Sequence, residues 1–230
     1  MQKCLNMHKP IFLSHILDEK TPSYGNKNKL SLTLRKSLAH NDSCNESFLM
    51  MPMHTGTHID LPLHFYQNGQ SLHDFPTDFW IFNNPIYIKI SPLSLIIYHE
   101  IIDALKYFPS NRLQQCDILL INTGIGERRK TTIFWEQNPG FSPDLYDFFK
   151  STLPTLRIIG FDSISLSSFQ HRDIGKKAHL KFLNPKSPIL LIEDMKLDEL
   201  TMANQLQKVI VSPLRITDCD GLPVTVLGWV

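Results

Sequence analysis

The sequence predicts an α/β protein in which a mixed β-sheet with flanking helices forms a single domain over residues 1–230. Two patterns lead to this prediction. Short β-branched or aliphatic runs recur along the chain, and segments with apolar residues at helical spacing lie between them. Strands that alternate with helices after a strand-rich first third are typical of a sheet covered by helices. No internal repeat or low-complexity linker divides the chain, which favours one domain.

The predicted strands are the runs that are richest in β-branched and aliphatic residues. They cover residues 48–53, 85–90, 117–123, 156–161, 188–192 and 209–216. The predicted helices cover residues 98–108, 142–150 and 172–183. The second helix carries a start signal, because Ser142 can act as its N-cap, Pro143 suits the first helical position and Asp144 adds an acid to the first turn.

Charge and composition exclude several classes of function. The chain has 23 basic and 22 acidic residues, so its formal net charge of +1 gives no basic surface for nucleic acid or an anionic membrane. Its apolar runs are far too short to cross a bilayer. Lys9 and Pro10 interrupt the N-terminal segment before a signal-peptide core develops, and the four scattered cysteines form no CxxC pair. We therefore expect a cytoplasmic protein with reduced thiols and a small-molecule substrate.

The most informative segment is residues 54–64, which reads His-Thr-Gly-Thr-His-Ile-Asp-Leu-Pro-Leu-His. It brings His54, His58, Asp60 and His64 into eleven residues. Imidazole nitrogen and carboxylate oxygen together suit a divalent transition metal such as zinc or manganese. The alternative is a set of partly buried histidines that are only hydrogen-bonded, but three histidines and an aspartate at this spacing favour a metal site.

The local geometry of this segment is expected to be a loop. On an extended chain His58, Asp60 and His64 would share one face. Gly56 and Pro62, however, disfavour an uninterrupted helix or strand. We expect the preceding strand to end near residue 53 and to continue into a turn-rich loop that folds the first two histidines and the aspartate around one ion.

The pattern His-x-Gly-Thr-His-x-Asp-x-Pro-x-His resembles the signature of the cyclase-like metal-dependent hydrolases. That family includes bacterial kynurenine formamidase (arylformamidase) and isatin hydrolase. The resemblance extends over nearly the whole chain and implies a single domain of the swivelling β/β/α type. Weaker similarities lie at residues 14–17 (Ser-His-Ile-Leu), 21–24 (Thr-Pro-Ser-Tyr), 119–124 (Leu-Leu-Ile-Asn-Thr-Gly), 159–165 (Ile-Gly-Phe-Asp-Ser-Ile-Ser) and 220–224 (Asp-Gly-Leu-Pro-Val).

The resemblance implies a ligand set for one or two divalent ions, with zinc as the first choice and manganese as the alternative. His54, His58 and Asp60 would hold the first ion, and Asp60 could bridge to a second. The family also uses a later histidine followed by a glutamate. His179 and Glu193 stand at the matching positions.

The residue pattern agrees with the later part of this ligand set. Glu193 ends the predicted strand 188–192, and the carboxyl end of a strand is where an open α/β sheet tends to place its site. Asp194 is the adjacent rival, although consecutive residues of a strand face opposite ways. His179 lies in a predicted helix, where an ordinary structural histidine is the alternative.

His64 is the implied catalytic residue. The family assigns this position to proton transfer, and histidine can donate and accept protons near neutral pH. The alternatives are a further metal ligand or a hydrogen-bonding partner of one. The predicted chemistry is metal-assisted hydrolysis of an amide, in which the ion lowers the pKa of bound water from about 15.7 to near 7. His64 would then protonate the leaving nitrogen.

The resemblance implies N-formyl-L-kynurenine as substrate, hydrolysed to L-kynurenine and formate in tryptophan catabolism. Tyr24 stands where that family places an aromatic substrate contact, usually tryptophan, and Leu61 replaces the usual alanine. These departures leave a cyclic or aryl amide such as isatin as the alternative. A non-catalytic metal-binding protein that retained the fold is a second alternative, although the retained His64 argues against it. The resemblance also implies a homodimer or homotetramer.

Overall fold

A computed structural model describes residues 9–27, 29–202 and 206–230 of the chain. Cys4 and most of the N-terminal segment, on which the signal-peptide prediction rests, lie outside the described residues. The strands are β1 (Pro10–Phe12), β2 (Ser31–Lys36), β3 (Glu46–Met50), β4 (His58–Asp60), β5 (Ile81–Phe82), β6 (Pro85–Lys89), β7 (Ile96–Ile97), β8 (Ile118–Asn122), β9 (Gly140–Phe141), β10 (Ile158–Phe161), β11 (Leu190–Glu193), β12 (Lys208–Pro213) and β13 (Gly221–Trp229). The α-helices are α1 (His99–Leu105), α2 (Ser110–Gln115), α3 (Ile133–Glu136), α4 (Leu145–Thr152) and α5 (Arg172–Phe182).

One mixed sheet organises the molecule. Its strand order is β5-β12-β13-β4-β11-β10-β8-β6, and β1 adds to β13. The strands β6, β8, β10 and β11 are mutually parallel, whereas β4, β13, β12 and β5 pair in antiparallel fashion. This mixed sheet, with helices in its crossovers, confirms the predicted α/β class. β4 joins the parallel half to the antiparallel half.

The parallel half is the part that the sequence predicted best. Every residue of β8, β10 and β11 is buried, because parallel strands are covered on both faces and therefore read as continuous aliphatic runs. The predicted strands 85–90, 117–123, 156–161 and 188–192 coincide with β6, β8, β10 and β11 to within two residues at either end. The predicted helix 172–183 coincides with α5, which buries Ala178, His179 and Phe182.

The predicted loop around the first histidines is wrong in one respect. Residues His58–Asp60 form β4, which is hydrogen-bonded to β11 on one side and to β13 on the other. Gly56, with φ of 65°, makes the turn that precedes the strand, and a short 3-10 turn over Pro62–His64 follows it. A strand of only three residues forms here because Ile59 is fully buried on the face opposite His58 and Asp60. Burial of this side chain makes a central strand more favourable than an exposed loop.

Four further boundaries differ from the predictions by three residues. The strand expected over 209–216 ends at Pro213, and the helix expected over 98–108 ends at Leu105. The helix expected to begin at Ser142 begins at Leu145, with Asp144 as its N-cap; Ser142 accepts hydrogen bonds in the turn before it. The strand expected over 48–53 ends at Met50, because β3 pairs only with β2 and the chain then leaves the hairpin to reach β4.

The β2–β3 hairpin stands apart from the main sheet. In the described part of the chain, its two strands pair with each other and with no other strand. Its apolar side chains are exposed, including Leu34 at 57% and Met50 at 64% of their full accessible area. A hairpin of two strands is marginally stable by itself in water. In the described part of the chain, no helix is long and apolar enough to span a bilayer.

Candidate metal centre

The register of β4 brings ligand side chains together. His58 and Asp60 are two residues apart on this strand and therefore face the same side. Glu193, at the end of β11, lies directly opposite His58 in the antiparallel pair. All three side chains are almost fully buried, at the end of a cavity of about 450 Å³. A cavity of this size suits a small organic molecule.

His58 is oriented as a ligand would be. Its Nδ1–H donates to the carbonyl oxygen of Gly56 at 2.8 Å, which leaves Nε2 as the nitrogen that faces the site. Nε2 lies 3.4 Å from Asp60 Oδ1 and 3.4 Å from Glu193 Oε2, and it is a buried atom with no hydrogen bond. A buried polar atom without a partner is rare in folded proteins, so this nitrogen points to a missing group such as a metal ion.

His179 approaches the same carboxylates from α5. Its Nδ1–H donates to the carbonyl oxygen of Gly175, one helical turn back, at 2.9 Å. Its Nε2 then lies 3.5 Å from Asp60 Oδ2 and 3.6 Å from Glu193 Oε1. The ring of Phe65 stacks on the imidazole, with 4.7 Å between centroids, and holds it in this orientation.

Glu193 is fixed by the segment that follows β10. Its Oε1 accepts hydrogen bonds from the Leu166 backbone N–H at 2.7 Å and from the Ser165 hydroxyl at 3.3 Å. The rival Asp194 faces away from the site, where Arg129 donates two hydrogen bonds of 2.7 Å to its two carboxylate oxygens. Asp194 is therefore a structural residue. It follows the last residue of β11 in the left-handed conformation, with φ of 52°, and this change of backbone direction separates its side chain from that of Glu193.

The other side of the site contains two more histidines and a second aspartate. His54 donates from Nδ1 to Asp60 Oδ1 at 2.9 Å and from Nε2 to Asp220 Oδ2 at 2.8 Å. His64 shares this second partner, because its Nδ1 lies 2.9 Å from Asp220 Oδ2. Asp220 immediately precedes β13, whose Gly221 pairs with Asp60.

Electrostatics lower the pKa of the Asp60 and Glu193 carboxyls and raise the pKa of the His54, His58 and His179 imidazoles. Burial alone would lower the pKa of His54, but the charge of Asp60 and the hydrogen bonds to Asp220 and Asp60 raise that pKa to about 9. The same opposition acts on His179, where hydrogen bonds to Asp60 and Glu193 outweigh burial and raise the pKa to about 10. Burial would raise the pKa of Asp60, but the charge of His54 and hydrogen bonds from the histidines hold it well below its ordinary value.

This donor set fits a divalent cation. Among the described residues, two groups have ligand atoms within 4.8 Å of one another, namely His54, Asp60 and His64 in one group and His58, Asp60 and Glu193 in the other. Asp60 belongs to both groups. Nitrogen and oxygen ligands of this kind suit zinc or manganese, and a shared carboxylate is how two neighbouring ions are bridged.

The structure brings together all six residues that the sequence assigned to the metal site and to proton transfer. Their grouping differs from the expectation, in which His54, His58 and Asp60 hold one ion. His54 lies with His64, whereas His58 lies with Glu193 and near His179. Their roles as ligands stay predictions. Tyr24 lines the same cavity, with its ring packed edge-on against Phe169 at 5.5 Å between centroids.

Sequence reasoning missed Asp220 as part of the site. It lies 166 positions after His54, and only the pairing of β13 with β4 brings the two residues together. The signal that could have found it was the similarity of residues 220–224 to the family, which includes a carboxylate directly before a glycine.

A mixed sheet whose central strand presents a buried histidine and a buried aspartate to a cavity, with a glutamate and further histidines beside them, is the arrangement expected of a metal-dependent hydrolase. The model of the family described as "Putative cyclase" matches residues 11–168, more than half of the chain. The chain belongs to the putative cyclase family.

Individual relatives agree with this assignment. The kynurenine formamidase of Geobacillus thermodenitrificans is 28% identical, over 93% of this chain and 94% of its own length. Cyclase-like protein 2 of Oryza sativa subsp. japonica is 25% identical, over 92% of this chain and 76% of its own. Among solved structures, isatin hydrolase A from Labrenzia aggregata bound to benzyl benzoate superposes with a TM-score of 0.76, at 20% identity over 96% of this chain and 93% of that chain. The predicted family is confirmed, and with it the enzyme class, an amidohydrolase.

Proposed function

We propose that the chain hydrolyses N-formyl-L-kynurenine to L-kynurenine and formate, a step of tryptophan catabolism. The observation that carries this proposal is the sharing of Asp60 between two groups of ligand atoms at the end of a cavity of about 450 Å³. The similarity to a kynurenine formamidase at 28% identity supports the choice of an aryl formamide over other amides.

The metal would be held by His54, His58, Asp60, His179 and Glu193. We propose zinc, with manganese as the alternative, because nitrogen and oxygen donors accept both ions. When bound, such an ion supplies Lewis-acid polarisation of the amide carbonyl and lowers the pKa of a coordinated water to about 7. The five side chains position the ion, and the two carboxylates offset its charge.

His64 is proposed as the proton donor to the leaving nitrogen. Its Nδ1 lies 2.9 Å from the Asp220 carboxylate, which can accept that N–H and so fix the tautomer and the ring orientation. Nε2 is then the nitrogen free to give up a proton. The hydrogen bonds from His54 and His64 hold the pKa of Asp220 below its ordinary range, so this carboxylate stays ionised and stabilises a protonated imidazole.

The experiment that tests the function is hydrolysis of N-formyl-L-kynurenine by metal-reconstituted protein, with His64→Ala beside the wild type. The matched control is His40→Ala, which removes an exposed histidine in the connection between β2 and β3. We expect turnover by the wild type and the control, and its loss in His64→Ala with metal content unchanged.

Other outcomes separate the alternatives. Loss of metal together with activity would make His64 a ligand. Turnover of isatin but not of the formamide would move the substrate to a cyclic amide. Bound metal without turnover of any aryl amide would favour a non-catalytic metal-binding protein.

A homodimer or homotetramer in the cytoplasm is part of the same proposal. The exposed apolar side chains of the β2–β3 hairpin support it, because a contiguous apolar patch on a surface usually marks a contact. Leu32 and Leu49 lie opposite each other in this hairpin, and Leu49→Glu would place a charge in the patch. We expect a wild-type oligomer and a smaller particle for the variant, measured by light scattering after size-exclusion chromatography.

A further inference from the structure

One face of α5 carries two cations towards the cavity. Arg172, Lys176 and His179 are spaced by four and three residues and therefore share a helix face. All three line the cavity, with His179 at the metal end. The helix packs closely on the segment after β10, because Gly175 has no side chain; a Cβ there would lie 2.7 Å from Ser167 Cα. This close packing fixes the position of both cations relative to the metal centre.

The two cations have no carboxylate partner in the described part of the chain. No Asp or Glu oxygen of those residues lies within 4.0 Å of the Arg172 guanidinium or the Lys176 ammonium. The guanidinium is nevertheless held in place. Its Nε donates to the Phe169 carbonyl oxygen at 3.3 Å, and its plane lies over the Phe169 ring at 4.1 Å. A preorganised guanidinium is well suited to bind a carboxylate.

One buried hydroxyl of the cavity lining has no partner. Ser23 is 6% exposed and lines the cavity, and its Oγ is buried with no hydrogen-bond partner among the described residues. The hydroxyl of the adjacent Tyr24 lies close to the Arg172 guanidinium, which lowers its pKa, although burial is the larger effect and raises that pKa. Buried hydroxyls usually have partners, so Ser23 indicates a ligand group that accepts a hydrogen bond.

We propose that the substrate carries a carboxylate remote from its scissile amide, and that Arg172, Lys176 and Ser23 bind this carboxylate. The inference rests on the proposed amidohydrolase site and narrows its substrate class. Among the described residues, Asp60 and Glu193 are the only carboxylates that line the cavity, and both belong to the candidate metal centre. Arg172 precedes His179 by seven positions, a rise of about 10 Å along the helix axis, so its guanidinium can bind a group that lies apart from the amide.

This substrate class distinguishes the two candidates. The amino-acid carboxylate of N-formyl-L-kynurenine lies on the side chain that extends from its aromatic ring, away from the formamide. Isatin has no carboxylate. The rings of Tyr24 and Phe65 also line the cavity and suit an arene. The geometry therefore favours an aromatic amide that carries an acid group over a neutral cyclic amide.

The experiment compares a charged and a neutral substrate in three variants. Wild type, Arg172→Gln, Lys176→Gln and the matched control Lys177→Gln are assayed with N-formyl-L-kynurenine and with formanilide, which lacks a carboxylate. Lys177 is an exposed neighbour on α5 that does not line the cavity. We expect Arg172→Gln to raise the KM for N-formyl-L-kynurenine by about tenfold to a hundredfold, the size expected for a lost charge-assisted hydrogen bond, with kcat less affected. The kinetics with formanilide should stay unchanged, and Arg172→Lys should restore part of the discrimination.

A binding measurement separates this inference from the proposed function. Calorimetric titration with 4-(2-aminophenyl)-4-oxobutanoate and with 2-aminoacetophenone, as matched acid and neutral probes, needs no turnover. The acid carries its carboxylate on the chain that extends from the ring, as N-formyl-L-kynurenine does. If neither formamide is hydrolysed but the acid binds, and Arg172→Gln weakens that binding whereas Lys177→Gln does not, the proposed function fails and the carboxylate site stands. If wild type and Arg172→Gln treat acid and neutral compounds alike in both assays, the carboxylate site is overturned while the proposed function survives.

Discussion

Asp220 Oδ2 lies between two imidazoles, 2.8 Å from His54 Nε2 and 2.9 Å from His64 Nδ1. One carboxylate thus connects a residue proposed as a metal ligand with the residue proposed as the proton donor. Because both contacts involve the same oxygen atom, a change at Asp220 acts on both histidines together. The predictions below begin with this connection.

Asp220→Asn should lower activity while the fold is retained. The amide keeps the shape of the side chain but removes the negative charge that stabilises a protonated His64. Loss of such a partner typically costs about 10- to 100-fold in activity or metal affinity. We expect kcat for N-formyl-L-kynurenine to fall within this range, with the metal content checked by mass spectrometry. Asp218→Asn, two residues earlier, serves as the control. Unchanged kcat in the Asp220 variant would exclude it from catalysis.

Metal binding at neutral pH should release protons. The pKa of His54 is raised to about 9 and that of His179 to about 10, so in metal-free protein both imidazoles are protonated at pH 7. A ligand imidazole must be neutral, and the proton it loses passes to the buffer. Apparent zinc affinity should therefore rise with pH, by about tenfold per unit for each proton displaced. Calorimetry in buffers of different ionisation enthalpy measures the release, and identical heats in all buffers would contradict it.

Stability of the metal-free protein should depend on pH through the same groups. A histidine whose folded-state pKa lies above its unfolded value stabilises the fold fully below the unfolded value, which is about 6.5. That contribution is lost as pH rises through the folded-state values of about 9 and 10. We expect the Tm of chelator-treated protein to fall between pH 7 and pH 10. A Tm that is constant over this range would show that these pairs contribute nothing.

Gly221→Ala should disturb the metal centre through His54. A Cβ at this position of β13 would lie 2.8 Å from His54 Nε2 and 3.0 Å from its Nδ1, which is closer than atoms can pack, so the imidazole must move. We expect weaker metal binding, measured by competition with a chromogenic chelator, in a protein with an unchanged circular-dichroism spectrum. Thr225→Ala, an exposed change on the same strand, should bind metal as the wild type does.

Arg129→Met should destabilise the fold. It leaves the carboxylate of Asp194 buried without its bidentate partner, and breaking a buried ion pair from one side costs about 3–5 kcal/mol. The free energy of unfolding, measured with urea, should fall by about this amount, and the double variant Arg129→Met/Asp194→Asn should recover part of it. Arg128→Met, at an exposed neighbour, should leave the midpoint in place.

The sequence predicted the clustering of the candidate ligands better than the structure around them. The spacing of His58 and Asp60 indicated that both side chains face the same side of an extended segment. The aliphatic runs of β8, β10 and β11 predicted the parallel half of the sheet. β4 was expected as a loop because Gly56 and Pro62 flank it, and nothing local indicates that a segment of three residues will pair on both sides.

The contributions from distant segments could not be predicted in the same way. Asp220 reaches His54 only through the pairing of β13 with β4. Arg172 and Lys176 lie in the predicted helix 172–183, and the sequence alone does not say which face of that helix meets a cavity. Strand pairing and helix orientation depend on the whole fold, so these residues are visible only in the structure.

The position of β4 between β11 and β13 has a consequence for biosynthesis. During translation His58 of β4 leaves the ribosome long before residues 190–193 and 221–229, which supply the two neighbouring strands. Contacts so distant along the chain form late and slowly. A nascent chain that has not yet extended to β13 therefore lacks one of the two strands that flank His58 and Asp60. Binding of the metal would then mark a chain that has completed its folding.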